Sequence, residues 1–201
     1  MPHLKLASLI GVGAALLAVG LLARASEQLF AAHMAQHLLL IAIAAPLAVL
    51  GGLQIRMRPI AGWVLFVSVF LFWHWPAAFQ WAAGSPVTGL LELGSILLAA
   101  LCFWSGTLGD NRLNDGARAL LVMTAAVLTD LPGVVMLFAP RAICVMPAED
   151  AARFGLTPLA DQQLAGLLMW VPANLVFFTI ATFLFARWMR ASGRSHPLVT
   201  S

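Results

Sequence analysis

Six apolar runs, each near the length of a bilayer crossing, occupy most of this 201-residue chain: 4–22, 29–50, 60–82, 86–108, 117–139 and 161–186. A helix needs about 20 apolar residues to cross the hydrocarbon core. Hydrocarbon offers no hydrogen-bond partners, so an unbroken apolar run of that length must satisfy its own backbone, as a helix does. Only 9% of the residues are charged, against about 25% in a soluble domain. The connections are short and hold most of those charges, and there is no internal repeat or low-complexity tract. The expected fold is therefore all-α: one polytopic transmembrane helical bundle over residues 1–201, with about six spans and an outer loop at 140–160.

Basic residues set the direction. Lys5, Arg56, Arg58, Arg112, Arg118, Arg187, Arg190 and Arg194 fall on one side of the predicted bilayer, and only Arg24, Arg141 and Arg153 on the other. The richer side is cytoplasmic by the positive-inside rule, which puts both termini in the cytoplasm. Trp73, Trp75 and Trp81 gather toward the outer end of the third span, where an aromatic belt is expected. The first run is followed by Ala23-Arg24-Ala25, which resembles a signal-peptidase site. A retained helix is the expectation, and its removal leaves five spans in the same orientation. No basic patch is interleaved with aromatics, so nucleic acid is not an expected partner. The two cysteines, Cys102 and Cys144, are too few for a disulfide framework and fall at opposite ends of the predicted bundle.

The polar residues inside the spans form a layer. At about 1.5 Å per residue, His33 lies roughly 6 Å below the outer surface, Glu92 roughly 9 Å, His37, His74 and Met169 roughly 12 Å, and Asp130 roughly 14 Å. Every His, Asp and Glu within a predicted span falls in the outer half. A charge at mid-membrane costs about 2.5–3.5 kcal/mol even on lenient insertion scales. Gathered in one layer, such groups can pair, line a wet cavity or hold a ligand.

His33 and His37, four residues apart, project from one helix face, with Met34 beside them. Two imidazoles on one face are a common half of a metal site. Imidazole with thioether suits Cu(I), and imidazole with carboxylate also suits Zn(II). The same pair can instead hydrogen-bond carbonyls or a neighbouring Glu. Glu92 and Asp130 are packing partners or parts of a proton path. Asp130 stands just before Leu131-Pro132-Gly133, which predicts a kink in the fifth span. Asp161 follows Pro158 and is expected to cap its own helix. Gln162 and Gln163 are expected at the outer interface, and Gly166 allows a close helix approach. Cys144-Val145-Met146 is a weak soft-metal candidate, and His3 and His196 lie near the chain ends.

Several of these stretches resemble one family. GLTPLADQQLAGLLMWVPANLVFF (155–178) is similar to the last part of the CtaG-type cytochrome c oxidase assembly factors, polytopic bacterial membrane proteins. HMAQHLLL (33–40) resembles their histidine-containing helix, and FWHWPAAF (72–79) their Trp-His-x-Pro element. Leu131-Pro132-Gly133 and Phe138-Ala139-Pro140-Arg141 match further landmarks over roughly residues 30–180. Family members often carry a second histidine pair around a glutamate; here Gly89 and Leu93 flank Glu92 instead. The resemblance implies maturation of the copper centre of a haem–copper oxidase in the bacterial cytoplasmic (inner) membrane.

The leading expectation is a non-enzymatic metallochaperone. It would take copper, as Cu(I), from a periplasmic donor and pass it to an oxidase subunit within the lipid bilayer. His33, His37 and His74 are the expected ligands, with Met34 and Met169 as soft auxiliaries. Glu92, Asp130, Asp161, Gln162 and Gln163 complete the polar layer. Two alternatives stand beside it: an accessory or scaffold subunit without its own metal, and a haem-binding electron carrier using His37 and His74. No nucleophile triad, phosphate loop or nucleotide signature is present, so no catalytic residue is assigned.

Overall fold

A computed structural model describes residues 2–109, 112–144 and 148–194. Met146 and His196 lie outside the described residues, as does the side chain of His3. All described regular structure is helical: α1 (Pro2–Ser26), α2 (Phe30–Leu38), a π-helical turn (Leu39–Ala44), α3 (Ala45–Leu50), α4 (Pro59–Trp73), α5 (Pro76–Ala83), α6 (Pro86–Trp104), a second π turn (Ser105–Gly109), α7 (Asp115–Phe138), α8 (Ala148–Arg153) and α9 (Pro158–Arg194). Among the described residues, five helices are long and apolar enough to cross a membrane, six if the bent pair Pro59–Trp73 and Pro76–Ala83 counts as one span. This is a membrane protein whose apolar side chains point outward as well as in. Leu21, Val87, Leu90, Leu175 and Phe138 are among its most exposed residues, whereas His37, Glu92, Asp161 and Gln162 are buried.

The third predicted span, 60–82, is not one helix. α4 and α5 meet at 75° across Trp73–Pro76. Pro76 cannot continue the hydrogen-bond ladder, and it drives Trp75 into the extended region. α5 then buries Ala78, Phe79 and Ala82. Trp73 departs from the predicted belt as well. It is buried, donates its indole N–H to Ser95 Oγ at 2.8 Å, and stacks on the half-exposed Trp81. The predicted outer loop 140–160 contains the short helix α8.

α7 runs as one helix from Asp115 to Phe138 with Pro132 inside it. In the second span the hydrogen-bond pattern changes around Pro46. The Ala45 N–H reaches back to Leu40 O in a π turn, and Pro46 has no N–H to give. Ile41 O is thereby left without its helical donor. The buried indole of Trp104 supplies one at 2.8 Å, tying the second span to α6.

α7 and α9 form the most extensive pair, and α9 also packs on α2, α4 on α6, and α1 on α2 and α3. Glycines permit the closest approaches. A Cβ on Gly166 would stand 2.6 Å from Gly133 O, and one on Gly62 would stand 2.8 Å from Cys102 O. Beneath the polar layer, Phe66, Phe103, Trp104 and Phe177 form an aromatic plug. Phe66 and Phe103 stack at 4.9 Å, and Trp104 meets Phe177 at 5.1 Å.

Gly166→Ala forces the α7–α9 backbones apart and is expected to cost about 1–3 kcal/mol, the usual range for overpacking a tight contact. Unfolding in mixed detergent micelles measures it.

Candidate metal site

The site is assembled from three helices, each held at the relevant end. α2 carries His33 and His37. Its preceding residue, Leu29, offers no side-chain cap, which leaves the first amides without partners. Asp161 fills that role from 130 residues away: its carboxylate accepts from Phe30 N at 2.8 Å and Ala31 N at 3.0 Å. The expectation that Asp161 caps its own helix is thus corrected. Its charge still lies in the first turn of α9, but its oxygens serve the positive end of α2. α6 carries Glu92 and is capped by Ser85, whose Oγ accepts from Thr88 N. The C-terminal end of α4 presents His74 at the bend.

Glu92 Oε1 stands 3.2 Å from His33 Nε2 and 3.4 Å from His37 Nε2. The His33 contact is a hydrogen bond. His37 has no hydrogen-bond partner on either ring nitrogen, although it is only 2% exposed. Glu92 is wholly buried, and its Oε2 is also without a partner. One ligand atom from each of His33, His37 and Glu92 falls within 4.8 Å of the other two. The imidazole rings of His33 and His37 pack edge to face at 4.6 Å. Two imidazoles and a carboxylate in this arrangement offer three of the four positions of a tetrahedral Zn(II) site, or a partner set for Cu(I) when a thioether joins.

His74 stands beside this triad. Its ring lies 5.3 Å from that of His37 and stacks on Phe70, and its Nδ1 lies 2.7 Å from Phe70 O. Its Nε2 is buried without a partner. Glu92, expected only in the polar layer, therefore stands with His33 and His37 in the tight cluster, and His74 lies beside it. The available signal was its expected depth, between those of His33 and His37. Asp130 belongs elsewhere. It accepts from Asn174 Nδ2 at 2.8 Å, joining α7 to α9 instead of steadying a helix break.

Gln162 faces the protein interior and reaches the loop after α7. It is fully buried, with Nε2 donating to Met136 O and Oε1 accepting from the amides of Ile143 and Cys144. It thus closes the end of α7 and ties down the following loop, while Gln163 is half-buried. Cys144 and Cys102 are both free and buried. Burial pushes the Cys144 thiol up to about 11, so the free side chain is a neutral thiol at physiological pH. Gln36, mid-span and buried, went unassigned in the sequence; it donates to Val19 O at 2.8 Å and pins α1 to α2.

Two voids meet this cluster. A vestibule of about 510 Å³ is lined by His33, Gln36, Glu27, Phe79, Gly89 and Leu93, among others. A much smaller cavity of about 30 Å³ adjoins His37, Met34 and Met169. Gly89 and Leu93, standing where relatives were expected to carry histidines, thus face the approach to His33 and leave the triad itself intact.

The family model for the cytochrome c oxidase caa3 assembly factors (Caa3_CtaG) matches residues 52–191. This chain belongs to that family. The match covers Glu92, His74, Asp161 and Met169, but it begins after the helix carrying His33 and His37. No curated protein and no solved structure matches the chain. In this assembly factor the matched region supplies the frame and the carboxylate, and the preceding span supplies the two imidazoles.

Asp161→Ala removes two charge-assisted hydrogen bonds to buried amides and is expected to cost about 1–3 kcal/mol. Hydrogen exchange at Phe30 and Ala31 should accelerate in step with the loss. Alkylation of Cys144 gives a second check. The unfolded thiol ionises near the ordinary value of 9 and the folded one near 11. Stability therefore falls as pH rises between those values, because the unfolded state loses its proton first. Peptide mapping after iodoacetamide treatment at pH 9 should find Cys144 modified in the detergent-unfolded chain and spared in the native one.

Proposed function

We propose that this oxidase assembly factor is a copper carrier, binding the ion as cargo between His33, His37 and Glu92. The convergence of those three side chains within 4.8 Å carries the reading. Intramembrane ionisable residues are costly and are functional candidates by default. Here the cost includes a buried imidazole with no hydrogen-bond partner, which a metal would relieve. The vestibule at His33 supports loading from the periplasmic face of a bacterial cytoplasmic membrane, from a periplasmic copper donor. Delivery is to a haem–copper oxidase subunit, whose acceptor site would lie at a similar depth. Binding and release need only ligand exchange, so the protein acts without catalysis.

One observation favours a second reading, an accessory or scaffold subunit. The His33–Glu92 hydrogen bond closes part of the cluster without any ion. Stable co-purification of a copper-free protein with mature oxidase would favour that role. Haem is less well supported: the His37 and His74 rings stand 5.3 Å apart in tight packing, and the cavity beside His37 holds about 30 Å³. A porphyrin slotted between axial ligands needs more room than that.

Elemental analysis of the purified chain decides between the first two readings. The wild type is expected to hold copper, and His33→Ala/His37→Ala to lose it with the helical circular dichroism unchanged. Full copper retention in the double variant would sink the assignment of these ligands.

A further inference from the structure

His33 and His37 share one oxygen of Glu92 yet border different voids. His33 lines the vestibule. His37 lines the small cavity, together with Met34, Met169 and a wall that is aliphatic and aromatic apart from Thr129, whose hydroxyl is engaged by Ala125 O and Ala126 O. Its volume of about 30 Å³ exceeds the ~10–15 Å³ needed for one water but leaves no room for a hydration shell. Methionine in a core usually fills gaps; here two methionines flank one. Both are buried, and they border it beside an imidazole whose nitrogens make no hydrogen bond. Two thioethers and one imidazole form a neutral, soft donor set. That set suits Cu(I), whereas Zn(II) and hydrated divalent ions prefer nitrogen and oxygen.

We infer that the chain offers copper two positions in series: an outer one at His33, Glu92 and His37, and an inner Cu(I) position at His37, Met34 and Met169. His37 is common to both. The inference rests on the copper-carrier reading and adds a second, chemically distinct station to it. Transfer inward breaks the bonds from Cu(I) to His33 nitrogen and Glu92 oxygen and forms bonds to the two sulfurs. The ion remains Cu(I), with no electron or proton exchanged. Ile41, Phe66 and Phe177 also border the inner cavity, and the last two belong to the aromatic plug. The inner position is therefore a dead end toward the cytoplasmic half. Its use is storage: Cu(I) held away from water until the outer position is vacated toward the client.

X-ray absorption on the full chain in lipid nanodiscs, loaded anaerobically with Cu(I), tests the inference. The wild type is expected to show sulfur in the copper shell. Met34→Leu/Met169→Leu, a swap that preserves side-chain volume, should remove that sulfur. It should also weaken Cu(I) binding at least tenfold in chelator competition, while Zn(II) binding changes less than twofold. His33→Ala should have the opposite pattern, weakening Zn(II) and keeping the copper–sulfur signal. Wild-type Cu(I) bound by nitrogen and oxygen alone overturns the inner position and leaves the outer site standing. Equal loss of Zn(II) and Cu(I) in the methionine variant also overturns it, since two stations would then behave as one. No Cu(I) or Zn(II) bound by the wild type removes the copper-carrier reading itself, and the inference with it.

Discussion

A carboxylate removed from water lies against two imidazoles in the middle of an apolar bundle, and much of the surrounding architecture holds it there. Glu92 is fully buried, and its Oε1 touches both His33 and His37. Such a group is tolerated only where partners converge on it. Convergence requires α2, α4 and α6 to be held in rotation as well as in position, since a helix turned by one residue moves its side chain by about 100°. The anchors that set α2 are themselves polar and buried. Asp161 grips its first amides, and Gln36 bonds to Val19 O across the gap to α1. Trp104 holds the carbonyl freed further along the same span.

The lipid environment explains why these anchors run between distant segments. Apolar surface gives little drive for one helix to choose another in hydrocarbon, so small residues and hydrogen bonds do the choosing. Gly133 in Leu131-Pro132-Gly133 meets Gly166 in the Asp161–Gly166 stretch, so two separate sequence landmarks form a single backbone contact. Gln162 of the same stretch holds the end of α7 and the loop beyond it, and Asn174 one turn past Trp170 takes Asp130. α9 thus orients α2 and α7 together. This gives DQQLAG a role other than capping its own helix.

From the outer side inward, the polar path has a graded chemistry. The vestibule is partly polar and reaches His33, the triad offers nitrogen and oxygen, and the cavity beyond His37 offers sulfur. An aromatic plug closes the far side. Membership of the oxidase assembly family rests on residues 52–191, which contain only part of this path. The two imidazoles of α2 come from outside that region. The chemistry of this cluster therefore depends on the chain's own tertiary geometry more than on family membership.

An all-helical fold of about six spans, the gathering of His33, His37, His74 and Glu92, and the pairing of His33 with His37 on one face were legible in the sequence, because hydropathy and the 3.6-residue period are local properties. So was the close approach at Gly166. The bend at Pro76 was also written there, but it lay inside an apolar run long enough to pass as one helix. The uninterrupted course of α7 through Pro132 and the π turn before Pro46 were not legible, since a proline's effect depends on what takes up the carbonyls it frees. Trp104 does so for Ile41 from another helix. Nor could the sequence say that Asp161 caps α2, that Gln162 is buried, or that Glu92 stands in the tight cluster with His74 beside it. Those outcomes depend on which helix faces travel together, and in a bilayer that choice is made by contacts between residues far apart in the chain.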